Sequence, residues 1–195
     1  MRKIVGFRIN LRAWELLRRA KKEGIALEVS QEALQSDLDR IVKSLKPAIL
    51  FETFGVDDPD QKTFSPIPAI AYSLILATIG EPALPLQPVS VGSETLVWEM
   101  ALEECRKFAV EIINSEAQKD SCELTPVSLL LMPEIQEAAI RKMDGSKIGI
   151  SFQEGRMTPL LSSVAALSWI SKIKKKKPKP QTIREPGADK TPAEN

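Results

Sequence analysis

The segment 71–79, Ala-Tyr-Ser-Leu-Ile-Leu-Ala-Thr-Ile, constrains the fold of this chain more than any other stretch. Its residues are almost all apolar, and the run ends at Gly80. The length suits a β-strand, and a strand that lacks the usual alternation of apolar and polar residues is buried on both of its faces. We therefore predict an interior strand that other parts of the chain cover from both sides.

The spacing of apolar residues places further elements on either side of this strand. Short apolar runs predict strands over 4–9, 48–54, 147–152 and 164–170. Helical spacing predicts helices over 11–20, 30–45, 93–117 and 133–143. Ser30 suits a helix start, because its hydroxyl can accept a hydrogen bond from a free amide of the first turn. Pro133 suits the first position of the last helix.

The overall composition indicates a globular protein. Hydrophobic residues make up 43% of the 195-residue chain and charged residues 27%, which is sufficient for one domain with a real core. No apolar run reaches the length of a membrane-spanning helix. Met1-Arg2-Lys3 leads straight into a strand pattern rather than into the core of a signal peptide. We therefore expect a cytoplasmic protein with no membrane contact.

The chain contains no histidine. This excludes Ser-His-Asp and Cys-His nucleophilic machinery as well as histidine-based zinc or haem ligation. Any reaction that the protein assists would therefore depend on binding and positioning. The two cysteines have no partner at metal-ligand spacing; we predict that Cys105 is a core residue on the long helix and that Cys122 is the accessible thiol.

The composition changes abruptly at Lys172, where a lysine run leads into Pro, Gly, Thr and Glu without periodicity. We predict one domain over 1–171 and a disordered tail over 172–195. The tail holds eight basic and three acidic residues, a net charge of +5, so the total of +1 leaves −4 on residues 1–171. A basic run can contact nucleic acid, but this one has no interleaved aromatic residues. We therefore favour the interpretation that the tail is a solvated end of the chain.

The stretch from Cys122 to Ile170 carries the most specific motif pattern. It reads Cys-Glu-Leu-Thr-Pro at 122–126 and Lys-Ile-Gly-Ile-Ser-Phe-Gln-Glu at 147–154, and then passes Met157 to Ser-Val-Ala-Ala at 163–166. This order resembles the C-terminal half of the activation domain of cobalamin-dependent methionine synthase. Weaker matches at 46–54, 75–80 and 92–94 extend the resemblance over about residues 1–171.

The resemblance implies an α+β fold, in which a twisted, mainly antiparallel sheet packs with helices in a single domain. It also implies a protein that docks over a corrinoid- or cobalamin-binding partner, such as the methionine synthase modules, and presents S-adenosylmethionine for remethylation of the reduced cobalt. The cobalamin would belong to the partner. By the same resemblance, the S-adenosylmethionine site would consist of Glu123, Thr125, Pro126, Val127, Glu154 and Met157.

The chain departs from the family pattern at residues that would hold this ligand. The family has an arginine three residues before the proline, and Glu123 reverses that charge beside the ligand's carboxylate. The family's Gly-Tyr pair is Val127-Ser128 here, and a branched side chain disfavours the close backbone approach that glycine allows. An aromatic position is filled by Arg156, whereas Glu154 and Met157 hold their expected places.

Two functions therefore remain open. The first is an activation-domain-like protein that supports reductive remethylation of a cobalamin-bearing partner with S-adenosylmethionine. The alternative is a non-catalytic binding or assembly subunit of a corrinoid methyltransferase system that has lost S-adenosylmethionine binding. In a purely structural interpretation, Thr125-Pro126 is a strand-to-helix connector and Glu154-Gly155-Arg156 is a polar turn.

Overall fold

A computed structural model describes residues 1–27, 29–65, 67–81 and 93–172. In this part of the chain there are eight strands: β1 Arg2–Val5, β2 Ala48–Gly55, β3 Ala71–Thr78, β4 Cys122–Leu124, β5 Ser128–Leu129, β6 Ser151–Gln153, β7 Arg156–Thr158 and β8 Ser162–Ser171. The helices are α1 Ala13–Lys22, α2 Gln31–Ser44, α3 Gln61–Phe64, α4 Ser93–Lys119 and α5 Pro133–Met143. Apart from Lys172, the predicted tail lies outside the described residues.

Six of these strands form one sheet, in which every pairing is antiparallel. Strands β1, β2, β3 and β8 follow one another across the sheet, and β4 and β5 both pair with the outer side of β8. The hairpin β6–β7 is a separate two-stranded sheet. The arrangement confirms the predicted α+β fold. None of the helices described is both long enough and apolar enough to cross a bilayer.

Strand β3 is the interior strand that its composition predicts. Ile75 and Ala77 lie in a core that the sheet forms with α1, α2 and α4. The alternate residues Leu74 and Leu76 lie in a second core that includes α5. All four side chains are inaccessible to solvent. Helices therefore cover both faces of the sheet, and the prediction of a doubly buried strand is confirmed.

The predicted helix starts are also confirmed. Ser30 caps α2, because its Oγ accepts a hydrogen bond from the Ala33 amide at 3.2 Å. Pro133 occupies the first turn of α5, where its missing amide costs no hydrogen bond. The long helix α4 buries Cys105 in the first core, as its apolar spacing predicts.

Two of the predicted strands are wrong in extent. Strand β1 ends at Val5 rather than at Ile9, because the chain turns at Gly6, which has a positive φ of 67°. The segment 147–152 is mostly not a strand: a 3₁₀ turn, Gly145–Ile148, precedes β6. Gly145 fits this turn because a Cβ there would lie 2.8 Å from Cγ2 of Ile140 and 2.9 Å from the Ile150 carbonyl oxygen.

The predicted burial of α1 also needs correction, because Trp14 is exposed. Ala13, Leu16 and Ala20 are the residues of α1 that the core buries. The helix is therefore rotated relative to the predicted face, and the guanidinium of Arg18 lies 5.5 Å above the exposed Trp14 ring.

A polar cluster joins α5 to the loop that follows β2. The Lys142 ammonium lies 2.8 Å from Oδ2 of Asp58 and 2.8 Å from Oδ2 of Asp60. The Tyr72 hydroxyl donates to Oδ1 of Asp58 at 2.8 Å. Burial by itself raises the pKa of Asp58, but the hydrogen bonds from Lys142 and Tyr72 outweigh it and hold this pKa below its ordinary value.

We expect the substitution Lys142→Ala to lower the free energy of unfolding by about 2–4 kcal/mol, because it leaves the mostly buried carboxylate of Asp58 without its cation. The matched control Arg141→Ala removes an exposed cation 3.8 Å from Glu137 and should change that free energy by less than about 0.5 kcal/mol. Urea unfolding of both variants measures the difference.

The pH dependence of stability provides a second measurement. Since the pKa of Asp58 is lowered by folding, its stabilisation is complete above the ordinary carboxyl range and is lost as the pH falls through the lowered value. The natural protein should therefore lose more stability on acidification than Lys142→Ala does. Equal acid sensitivity would show that the cluster does not contribute in this way.

Candidate functional site

The segment predicted to bind S-adenosylmethionine forms an outer edge of the sheet. Strand β4 places Glu123 opposite Ile170 of β8, and β5 places Ser128 opposite Ala166. Glu123, Pro126 and Val127 are exposed. The sequence pattern does not predict either strand, since each is only two or three residues long and residues 125–127 separate them.

The loop between β4 and β5 is held to β8 by Thr125. The Thr125 amide donates to the Ser168 carbonyl at 2.9 Å, and the Thr125 hydroxyl accepts from the Ser168 amide at 2.9 Å. The threonine side chain thereby supplies a ladder hydrogen bond where the strand is interrupted. Pro126, which has no amide to donate, suits an edge position. The bonding of Thr125 is therefore accounted for within the sheet.

The other two predicted site residues lie in the hairpin β6–β7. Glu154 is at the turn in a left-handed conformation, with φ 51°, and its side chain is 86% exposed. Met157 is half-buried and packs against the second core. Both residues therefore lie on an element that does not pair with β4 or β5.

The structure places the six predicted residues on two separate elements, the outer edge of the sheet and the hairpin β6–β7. Three cavities that described residues line, one beside β1, one between α4 and the end of β8 and one beside α5, include none of the six. The Thr125 hydroxyl is bonded to backbone, and the position that would face the ligand's carboxylate carries the carboxylate of Glu123. Binding of S-adenosylmethionine here stays a prediction of the resemblance.

An apolar surface continues from the same edge. Val127, Leu129, Leu131 and Met132 are all exposed, and Leu131 is 75% accessible. Leu129 lies opposite Ala165, whose side chain belongs to the first core, whereas Leu130 packs against the second core. We call the four exposed residues the apolar edge. Neighbouring exposed apolar side chains of this kind are typical of a protein–protein contact.

A groove of about 970 Å³ lies at the opposite edge of the sheet, beside β1. The segment between β1 and α1, the end of α2 and the 3₁₀ turn enclose it. Its lining residues include five basic residues and one acidic residue, which are Lys3, Arg8, Lys43, Lys46, Lys147 and Asp39. We call this cavity the cationic groove.

The charges of the cationic groove are largely unneutralised. Within the described residues, only Lys147 of its five cations forms an ion pair, with Asp144 at 3.3 Å. The amides of residues 7–11 have no acceptor in the part of the chain that the structure describes, whereas the Gly6 amide donates to the Pro47 carbonyl at 2.9 Å. Free cations and free amides together favour an anion.

The cationic groove is not apparent in the sequence, because its residues come from three separate parts of the chain. One signal was present: residues 1–14 contain four basic residues and no acidic residue. Only the fold shows that this segment lies beside Lys43, Lys46 and Lys147.

Comparison with known proteins gives no family assignment, since no family model and no curated protein matches the chain. The described residues also contain no group of three or more cysteine, aspartate or glutamate side chains arranged to hold a metal ion.

The prediction that Cys122 is the accessible thiol is wrong. Its side chain is 2% exposed, packs in the first core and donates to the Asp120 carbonyl at 3.3 Å. The polar residues before it misled the prediction, because β4 begins at Cys122 and turns its side chain inward. Cys105 is inaccessible, and burial raises its pKa to about 12.

We therefore expect both thiols of the native protein to react slowly with Ellman's reagent, because a buried thiol meets the reagent only when the structure opens. Both should react at once in 6 M guanidinium chloride. The control is Ser115→Cys, which places a thiol on the exposed side of α4 and should react in the native protein within seconds. Rapid native labelling of Cys122 would contradict its burial.

Proposed function

We propose that this protein is a non-catalytic binding or assembly subunit of a corrinoid-dependent methyl-transfer system. In this role it keeps the scaffold of a methionine synthase activation domain and its docking surface, but it does not present S-adenosylmethionine. The cobalamin belongs to the partner protein. This is the second of the two functions that the sequence leaves open, and the arrangement of the sheet edge favours it.

The proposal rests on one observation, which is that the segment 122–132 is built into the edge of the sheet. The residues that match the family's ligand loop are part of the sheet edge, where both the amide and the hydroxyl of Thr125 are hydrogen-bonded to the Ser168 backbone. The same segment exposes the apolar edge. A segment whose threonine is bonded within the sheet and which exposes several apolar side chains is better suited to contact a protein surface than to hold a small, charged methyl donor.

The other function that the sequence leaves open is an activation-domain-like protein that binds S-adenosylmethionine. It is the second candidate. Glu154 and Met157 hold the positions that the resemblance assigns to them, and this favours it. Against it stands Glu123, whose carboxylate repels the carboxylate of the ligand and removes a bidentate partner. Together these effects would weaken binding by about 2–4 kcal/mol, or roughly thirty-fold to a thousand-fold.

Calorimetric titration with S-adenosylmethionine separates the two candidates. For the assembly subunit we expect no measurable heat of binding up to millimolar ligand, because the segment lacks a cation to pair with the ligand's carboxylate. The variant Glu123→Arg/Val127→Gly/Ser128→Tyr, which restores the family's residues, serves as the comparison once circular dichroism verifies its fold. Micromolar binding by the natural protein would support the second candidate instead.

Docking is measured by sedimentation velocity with a cobalamin-bearing methionine synthase module, whose visible absorbance reports its own sedimentation. We expect the natural protein to form a faster-sedimenting complex and Leu131→Glu to weaken it at least tenfold, because a charge replaces an apolar contact. The control is Val56→Glu at another exposed apolar position, 57% accessible, in the turn after β2. Absence of a complex with the natural protein would rule out the proposed docking.

A further inference from the structure

The cationic groove lies at the edge of the sheet opposite the apolar edge, and the proposed docking does not use it. Residues 1–171 carry a net charge of −4, so the concentration of five cations around one cavity is not a property of the surface in general. Clefts lined by one sign of charge concentrate ions of the opposite sign.

The lining of the cationic groove also includes apolar residues. Val5, Ile9, Leu11, Val42, Leu45 and Ile148 contribute to the lining, together with Phe7, whose ring stacks on that of Phe108 at 4.8 Å. The groove thus combines charged groups with a hydrophobic wall. A volume of about 970 Å³ lies within the range of small-molecule sites and is far larger than a single inorganic phosphate requires.

The single carboxylate in the lining supplies a different kind of contact. Asp39 accepts a hydrogen bond from the Gln35 side chain at 3.0 Å, which fixes its position on α2. Its remaining acceptor capacity suits the hydroxyls of a sugar, as carboxylates suit ribose in other nucleotide sites. A nucleotide site has three parts, which are cations for the phosphates, a carboxylate for the sugar and an apolar wall for the base.

We propose that the cationic groove binds a nucleoside diphosphate or triphosphate. Lys3, Arg8, Lys43 and Lys46 form no ion pair among the described residues and contact the phosphates. The amides of residues 7–11, which have no acceptor in the described part of the chain, donate to the same phosphates. Asp39 accepts from the sugar, and the apolar wall contacts the base. The groove is open to solvent, and the protein acts on the nucleotide only by binding it.

The probe is ADP, titrated calorimetrically into the full chain at low ionic strength. We expect a Kd in the micromolar range that weakens as salt is raised, because the contacts are mainly ionic. Lys43→Gln/Lys46→Gln should weaken ADP binding by roughly tenfold or more. The matched control Lys22→Gln/Lys62→Gln removes two exposed charges outside the groove and should leave the affinity unchanged.

Two further ligands test the parts of the site separately. Asp39→Asn should weaken ADP several-fold but leave pyrophosphate unaffected, since pyrophosphate has no sugar. Adenosine should bind far more weakly than ADP. Arg8 lies in the irregular segment before α1 rather than on α2, and Arg8→Gln repeats the charge test if the lysine variant does not fold.

Several outcomes would overturn the proposal. Absence of ADP binding to the folded natural protein would do so directly. ADP affinity equal to that of pyrophosphate would show that the carboxylate and apolar wall contribute nothing. Binding of single-stranded RNA without binding of ADP would assign the groove to nucleic acid instead. Equal loss of affinity in the control variant would attribute binding to overall charge.

Discussion

The burial of β3 on both faces is the constraint on which the rest of the structure depends. Each large apolar side chain that the strand buries stabilises the fold by about 1.5–3 kcal/mol. The strand also buries Ser73, whose hydroxyl is bonded to Thr53 Oγ1 at 2.7 Å and to Trp169 Nε1 at 2.8 Å. These bonds tie β3 to both neighbouring strands and avoid the cost of an unsatisfied polar group.

Because both faces of the sheet are covered, the surfaces available for binding lie at its edges. One edge, beside β1, is cationic and concave. The other, formed by β4 and β5, is apolar and interrupted at Thr125-Pro126. The interruption and the proline limit uncontrolled pairing of this edge with other strands, which a long regular edge would invite. The two surfaces are far apart in the sheet order and are suited to partners of different chemistry.

The retained and altered residues of the motif segment have different physical explanations. Thr125 is explained by its hydrogen bonds to Ser168, which hold together the two short strands at the edge. Pro126 fits a position where no amide is required. Glu123 is exposed beside β8 and faces no such structural requirement. The motif can therefore persist as part of the fold even where its ligand-binding charge has been reversed.

The sequence by itself determined the elements whose burial follows from local pattern: the doubly buried strand at 71–79, the cap at Ser30 and the apolar face of α4 around Cys105. Each depends on residues close together in the chain. Only the tertiary structure decided the inward direction of Cys122 and the position of the short edge strands, because pairing with β8 controls both. The tertiary structure also decided the cationic groove. Its charged residues lie between positions 3 and 147 of the chain, and they can act on one ligand only after folding brings them to the same edge of the sheet.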